Sequence, residues 1–146
     1  MIEKDQIFFI YVIALIFSAL GAILLLTTPF VWSSYGYYAG EYYGTVYYDE
    51  AIGVWTPVYG GLIGFVAFLL IICTIIAILE IMKPEITPDY LLLLGIVISF
   101  FAFILVIGGV GVALALGASD PDAGFYGGLL GSLVTGLCFA YIKFKF

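Results

Sequence analysis

The side chains of this chain that could do chemistry are few and widely spaced. Two acid pairs, Asp49–Glu50 and Asp120–Asp122, offer the oxygen ligands that hard divalent cations take, but neither pair supplies a full ligand set. Solvated surface acids are their ordinary reading, and a divalent cation is the ligand they would admit. Cys73 and Cys138 fall inside apolar runs, where thiols are inert packing groups. Ser18, Thr74, Ser99 and Thr135 are the hydroxyls well inside such runs, and hydroxyls there bond to their own backbone more often than they carry substrate. The chain has no histidine, arginine or asparagine, and Gln6 is its one glutamine. A histidine metal site, a histidine-based triad and an arginine phosphate clamp are therefore excluded. The expectation is a protein that is not an enzyme, with no catalytic residue, cofactor or resident metal. With a net charge of −6 and no basic surface, nucleic acid is excluded as a partner.

The elements that hold these residues follow from composition. Of 146 residues, 65% are hydrophobic and 10% charged, with a mean hydropathy of +1.26. A soluble domain is about half apolar and about a quarter charged. Four uncharged runs stand out, Ile7–Thr28, Val58–Leu79, Leu91–Gly117 and Phe125–Ile142. Each meets or approaches the roughly 20 residues a helix needs to cross a bilayer, where backbone groups must be satisfied within the segment. The prolines mark the ends. Thr56–Pro57, Thr87–Pro88 and Asp120–Pro121 read as a capping residue followed by proline in the first turn, whereas Thr28–Pro29 and Lys83–Pro84 close helices. Helices are predicted near 7–28, 57–82, 88–117 and 121–143. The third, at 30 residues or about 45 Å, must tilt, project or bend, with Gly108-Gly109-Val110-Gly111 as the place for a bend.

The fold class is thus an all-α membrane protein, a four-transmembrane-helix antiparallel bundle forming one domain over residues 1–146. Four spans put both termini on one side, together with Lys4, Lys83, Lys143 and Lys145, so the termini are expected in the cytoplasm of a multi-pass cell-membrane protein. The leader Met1–Gln6 lacks a positive n-region and the following run is too long for a signal peptide, so the first helix is read as a retained span. Glu80 lies at the inner border of the second helix, where it can pair with Lys83.

Small residues permit close helix approach in lipid. The candidates for helix packing are Gly60 and Gly64 in the second helix, Gly109 in the third, and Gly124, Gly128, Gly131 and Ser132 in the fourth. They predict a bundle that is tight at its outer end. Phe8, Phe9, Tyr11, Phe100, Phe101 and Phe103 predict an aromatic-filled inner end.

The one long connection, residues 29–56, carries the remaining distinctive chemistry. It contains Tyr35, Tyr37, Tyr38, Tyr42, Tyr43, Tyr47 and Tyr48, with Trp32 and Trp55 near its ends. Tyrosine-rich segments favour strands, so Val31–Tyr38 and Tyr42–Tyr48 are predicted to form an extracellular hairpin turning at Ala39-Gly40-Glu41. These nine aromatic residues are the candidate partner-binding surface, for a protein, a glycan or a second copy. The competing reading is a sheet lying on the helix ends with tyrosines at headgroup level.

This layout resembles the claudin and peripheral-myelin-protein-22 superfamily. Four spans, a first outer loop folded as a small sheet, Trp32 soon after the first span and Gly53-Val54-Trp55 at the position of the family's Gly-Leu-Trp element carry the resemblance. The family's paired cysteines are absent, the loop ends soon after Trp55, and the second outer loop is almost missing. The resemblance implies a non-enzymatic role in adhesion, lateral assembly or as an auxiliary subunit, with Trp32 and Trp55 anchoring the sheet. The partners expected are the lipid bilayer and other membrane subunits or copies of the chain. The alternative is a small oligomeric channel or transporter, for which no ionisable residue stands within a span.

Overall fold

The computed structural model describes residues 2–38, 41, 45–57, 59–82, 90–115 and 118–145. The elements run α1 (Ile2–Thr27), β1 (Val31–Tyr38), β2 (Thr45–Ile52), α2 (Gly60–Met82), α3 (Tyr90–Ala115), β3 (Ala118–Pro121) and α4 (Ala123–Lys145). All four helices are long and apolar enough to cross a membrane, and only 22–44% of each span is buried inside the bundle. The remainder is an apolar exterior that includes Phe9, Val97 and Ile104. Such an exterior is stable only in hydrocarbon, so the chain is a multi-pass membrane protein.

The helices form a ring in which α1 lies beside α2 and α4, and α3 beside the same two. Both chain ends lie at one end of the bundle and the three strands at the other. Buried residues fall into two clusters. One, around Leu25, Phe30, Val31, Ile52, Ile63 and Val106, lies beneath the sheet. The other, around Tyr11, Cys73, Ile76 and Phe139, lies toward the termini.

Local chemistry explains the boundaries. At the end of α1 the Thr28 amide and hydroxyl both donate to the Leu24 carbonyl, at 2.9 and 2.5 Å, and Pro29 prevents another turn. The second helix begins at Gly60 rather than Pro57. Residues 53–57 and Tyr59 form turns instead, with the Thr56 amide donating to the Gly53 carbonyl at 3.0 Å and the Gly60 amide to the Thr56 carbonyl at 2.6 Å. Asp120 does not cap the fourth helix and Pro121 does not open it. Both belong to β3, and α4 starts at Ala123. The reason is competition from β1, whose edge recruits residues 118–121. Proline is tolerated on such an edge strand. Thr87–Pro88 and Lys83–Pro84 lie outside the described residues. The third helix is 26 residues long, about 39 Å, and stays α-helical through Gly108–Gly111.

The sheet has the order β2-β1-β3, so it is three-stranded rather than a hairpin alone. The first strand occupies the predicted residues 31–38, and the second covers residues 45–48 of the predicted 42–48 and runs on to Ile52. Its register runs from Val31 opposite Ile52 to Tyr38 opposite Thr45. Val31 and Ile52 are both buried, which anchors the hairpin at its base on the helix ends. The turn residues Ala39 and Gly40, with Tyr42 and Tyr43, lie outside the described residues.

The aromatic filling expected at the end near the termini is confined to fewer rings. Tyr11 and Phe139 are buried there with centroids 6.2 Å apart, and Phe100 lies against Gly136. Phe8, Phe9 and Phe101 point out of the bundle. In lipid an outward phenylalanine costs nothing, so bulk does not predict burial as it would in water.

Candidate functional site

The distinctive chemistry gathers where the sheet meets the helix ends. The turn Pro29-Phe30 fixes that junction with backbone bonds in two directions. The Phe30 amide donates to the Ile52 carbonyl at 2.7 Å, extending the ladder toward β2. In the other direction the Phe30 carbonyl accepts from the Asp122 amide at 3.0 Å, and the Pro29 carbonyl from the Gly124 amide at 2.9 Å. The Phe30 ring is buried beneath, 5.8 Å edge-on from Phe125 and against Gly109.

Trp32 completes the latch. Its indole Nε1–H donates to Asp122 Oδ2 at 2.5 Å, and Asp122 Oδ1 accepts from the Ala123 amide at 2.6 Å. The indole bond, then the amide bond, hold the Asp122 carboxyl below its ordinary 3.8 against a small opposing effect of burial. The carboxylate also stands at the positive end of α4, a favourable place for an anion. Trp32 therefore ties the sheet to the bundle.

Trp55 behaves differently. It is 53% exposed, and its indole donates to the Ala51 carbonyl at 3.2 Å. The ring lies across Gly53 so closely that a Cβ there would meet it at 2.6–2.8 Å. This is the physical content of Gly53-Val54-Trp55: the glycine leaves room for the folded-back ring. The Gly53 amide donates to Thr56 Oγ1 at 3.1 Å and closes the turn. Of the tyrosines expected to meet a partner, Tyr35 pairs with Tyr48 in the register, Tyr47 with Gly36, Tyr37 with Val46 and Tyr38 with Thr45.

The two acid pairs do not converge. Asp49 and Glu50 are in β2, opposite Ser34 and Ser33, whereas Asp120 is in β3 on the other side of β1. Two strand spacings, about 10 Å, separate them. Among the described residues no three histidine, cysteine or acid side chains come together as a metal site.

The bundle interior uses its polar groups on itself. Ser18 and Thr74 share a hydrogen bond of 2.8 Å, and Thr74 also donates to the Leu70 carbonyl. Thr135 donates to the Ala14 carbonyl at 3.3 Å, tying α4 to α1, while Ser99 and Ser132 donate within their own helices. Tyr11 donates to Glu80 Oε2 at 3.4 Å near the termini. Among the described residues no buried side-chain nitrogen or oxygen lacks a partner. Cys73 is buried and Cys138 half-buried, both as free thiols.

The glycines divide by what surrounds them. A Cβ on Gly131 would meet the Phe17 carbonyl oxygen at 2.8 Å, and one on Gly21 would meet that of Gly127 at 2.7 Å, so α1 and α4 touch backbone to backbone. Gly124 lies against the Pro29 carbonyl, Gly128 against Leu25 and Val106, and Gly109 against Leu62. Ser132 sits buried in the same face of α4. Gly60 lies under the Val54 carbonyl, and among the described residues a Cβ on Gly64 would reach Val54, at 3.8 Å, so both lie against the turn before α2. Sequence reasoning missed the partner stripe on α1. Ala14, Ser18, Gly21 and Ala22 are all buried, and their spacing of three and four residues was the available signal. An apolar cavity of about 430 Å³ opens between α2 and α3, lined by Tyr59, Leu62, Ile104, Leu105, Gly108 and Val112.

The chain matches no family model, no curated protein and no solved structure.

Proposed function

We propose that this protein is a non-enzymatic subunit of a larger membrane assembly, acting through lateral helix contacts and through the tyrosine-rich sheet presented on the outer face of the cell membrane. The observation that carries this reading is the contrast between its two parts. The bundle interior is chemically silent, each described buried polar side chain being bonded within it. The sheet is held to the bundle by Phe30 and the Trp32–Asp122 bond, and beside it Trp55 is exposed. A tyrosine-rich sheet tied to an inert base suits recognition better than turnover. Lys4, Lys143 and Lys145, at the end opposite the sheet, support termini in the cytoplasm. The role implied by the claudin-like layout, in adhesion or as an auxiliary subunit, agrees with this reading, and the Trp55-on-Gly53 fold gives its short motif a structural reason. The partner is another membrane protein, a second copy or a glycan.

Gentle detergent extraction from the native membrane followed by native mass spectrometry tests the proposal. The expected species is a complex with at least one further protein or copy. A strictly monomeric species with nothing co-purifying overturns it.

A further inference from the structure

We propose that the free edge of β2 is a docking strand for an extended, lysine- or arginine-rich segment of a partner protein. The inference rests on the auxiliary-subunit reading and names the chemistry of the partner. The sheet order leaves β1 in the centre, and no strand borders the far side of β2 among the described residues. An antiparallel edge strand turns the N–H and C=O of every second residue outward, so residues 45–50 offer a ready ladder, which ends where the Trp55 indole takes the Ala51 carbonyl. Natural edges are blunted by charged side chains, above all lysine, and by proline, bulges or brevity; the charges of β2, Asp49 and Glu50, are both acidic, which turns away most strands but not a cationic one. The segment Thr-Val-Tyr-Tyr-Asp-Glu-Ala-Ile has neither lysine nor proline, and it pairs with β1 over all eight residues without a shift. The one irregularity lies on the β3 side.

Charge selects the occupant. The segments at the sheet end carry Glu41, Asp49, Glu50, Asp120 and Asp122 and no lysine. A second copy adding its own β2 antiparallel would bring another Asp49–Glu50 pair to the same edge, and like charges across a ladder are destabilising. A strand bearing cations gains instead, and strand addition supplies the main-chain bonds.

The test uses the full chain in nanodiscs of zwitterionic lipid and a fluorescent peptide of about ten residues alternating lysine with threonine or valine. Binding is read by anisotropy, and the ladder by amide hydrogen exchange across residues 45–52. The proposal expects binding, slowed exchange in β2, and about tenfold weaker binding to the Asp49→Lys, Glu50→Lys double variant. A peptide of equal charge interrupted by prolines must bind much more weakly, since it cannot form the ladder. Equal binding of the two peptides, binding without protection of β2, no binding at all, or self-association of the chain through β2 would each overturn the proposal. Partners that still co-purify from native membranes after such a failure would leave the subunit reading intact.

Discussion

The contact between α1 and α4 makes a sharp energetic prediction, because one methyl group should have opposite effects at two kinds of glycine. At Gly131 an added Cβ would stand 2.8 Å from the Phe17 carbonyl oxygen and 3.2 Å from the Gly21 Cα. Both atoms are backbone, so neither can swing aside, and the helices must part by roughly half an ångström to restore ordinary contact. A gap of about 0.5–1 Å forfeits a quarter to a half of the dispersion attraction of every atom pair along the seam. Gly131→Ala is therefore expected to cost about 1–3 kcal/mol, the usual range for overpacking, partly offset by up to about 1 kcal/mol of helix propensity. At Gly108 and Gly111 a Cβ meets nothing within 4 Å among the described residues, so alanine there keeps the propensity gain and pays no steric penalty. Thermal unfolding in mild detergent, followed by tryptophan fluorescence, should give Gly131→Ala a lower midpoint than wild type and Gly108→Ala an equal or higher one. Equal midpoints for the two variants would refute the claim that backbone contact at Gly131 holds the bundle. Gly21→Ala strains the same seam, so its effect should not add to that of Gly131→Ala.

Three further outcomes follow from the sheet junction and the bundle interior. Trp32→Phe removes the bond to Asp122 and should cost about 1 kcal/mol of attachment, seen as faster hydrogen exchange in residues 31–38 with α1 and α4 unchanged. Because the folded Asp122 carboxyl sits below its ordinary 3.8, its contribution is complete above that value and is lost as pH falls through the lower folded value. A thermal-midpoint series toward acid should show this loss in wild type and not in Asp122→Asn. Thr74→Val removes the interhelical bond to Ser18 and should cost about 0.6 kcal/mol, with a double-mutant cycle against Ser18→Ala giving a coupling of that order.

The sequence and the fold agree where physics is local. Unbroken apolar runs and Thr28–Pro29 at the end of α1 were legible because a bilayer admits few alternatives to a helix. Val31–Tyr38 was legible from its tyrosines. The continuation of β2 past Tyr48 to Ile52 was not, because the base of the hairpin is set by burial of Ile52 beside Val31 rather than by tyrosine content. The third strand was hidden for a similar reason: Ala118–Pro121 has no strand character of its own and is extended only because β1 offers an edge. Asp120–Pro121 had the local signature of a helix start, and a tertiary ladder overrode it. In the candidate site, Trp32 and Trp55 were both singled out, but their different roles were not, since Asp122 lies 90 residues from Trp32 in the chain. The outward Phe8, Phe9 and Phe101 show the remaining limit, because ring size carries no inside–outside signal when the solvent is hydrocarbon.

The account depends most directly on the sheet and the chain termini facing opposite sides of one membrane. With Cys73 and Cys138 replaced by alanine, single cysteines at Glu41 and at Lys145 can be labelled in sealed right-side-out vesicles with a membrane-impermeant maleimide. With sheet and termini on opposite sides, the Glu41→Cys variant labels at once and Lys145→Cys labels only after the vesicles are opened. Labelling of both in intact vesicles, or of neither, would contradict it.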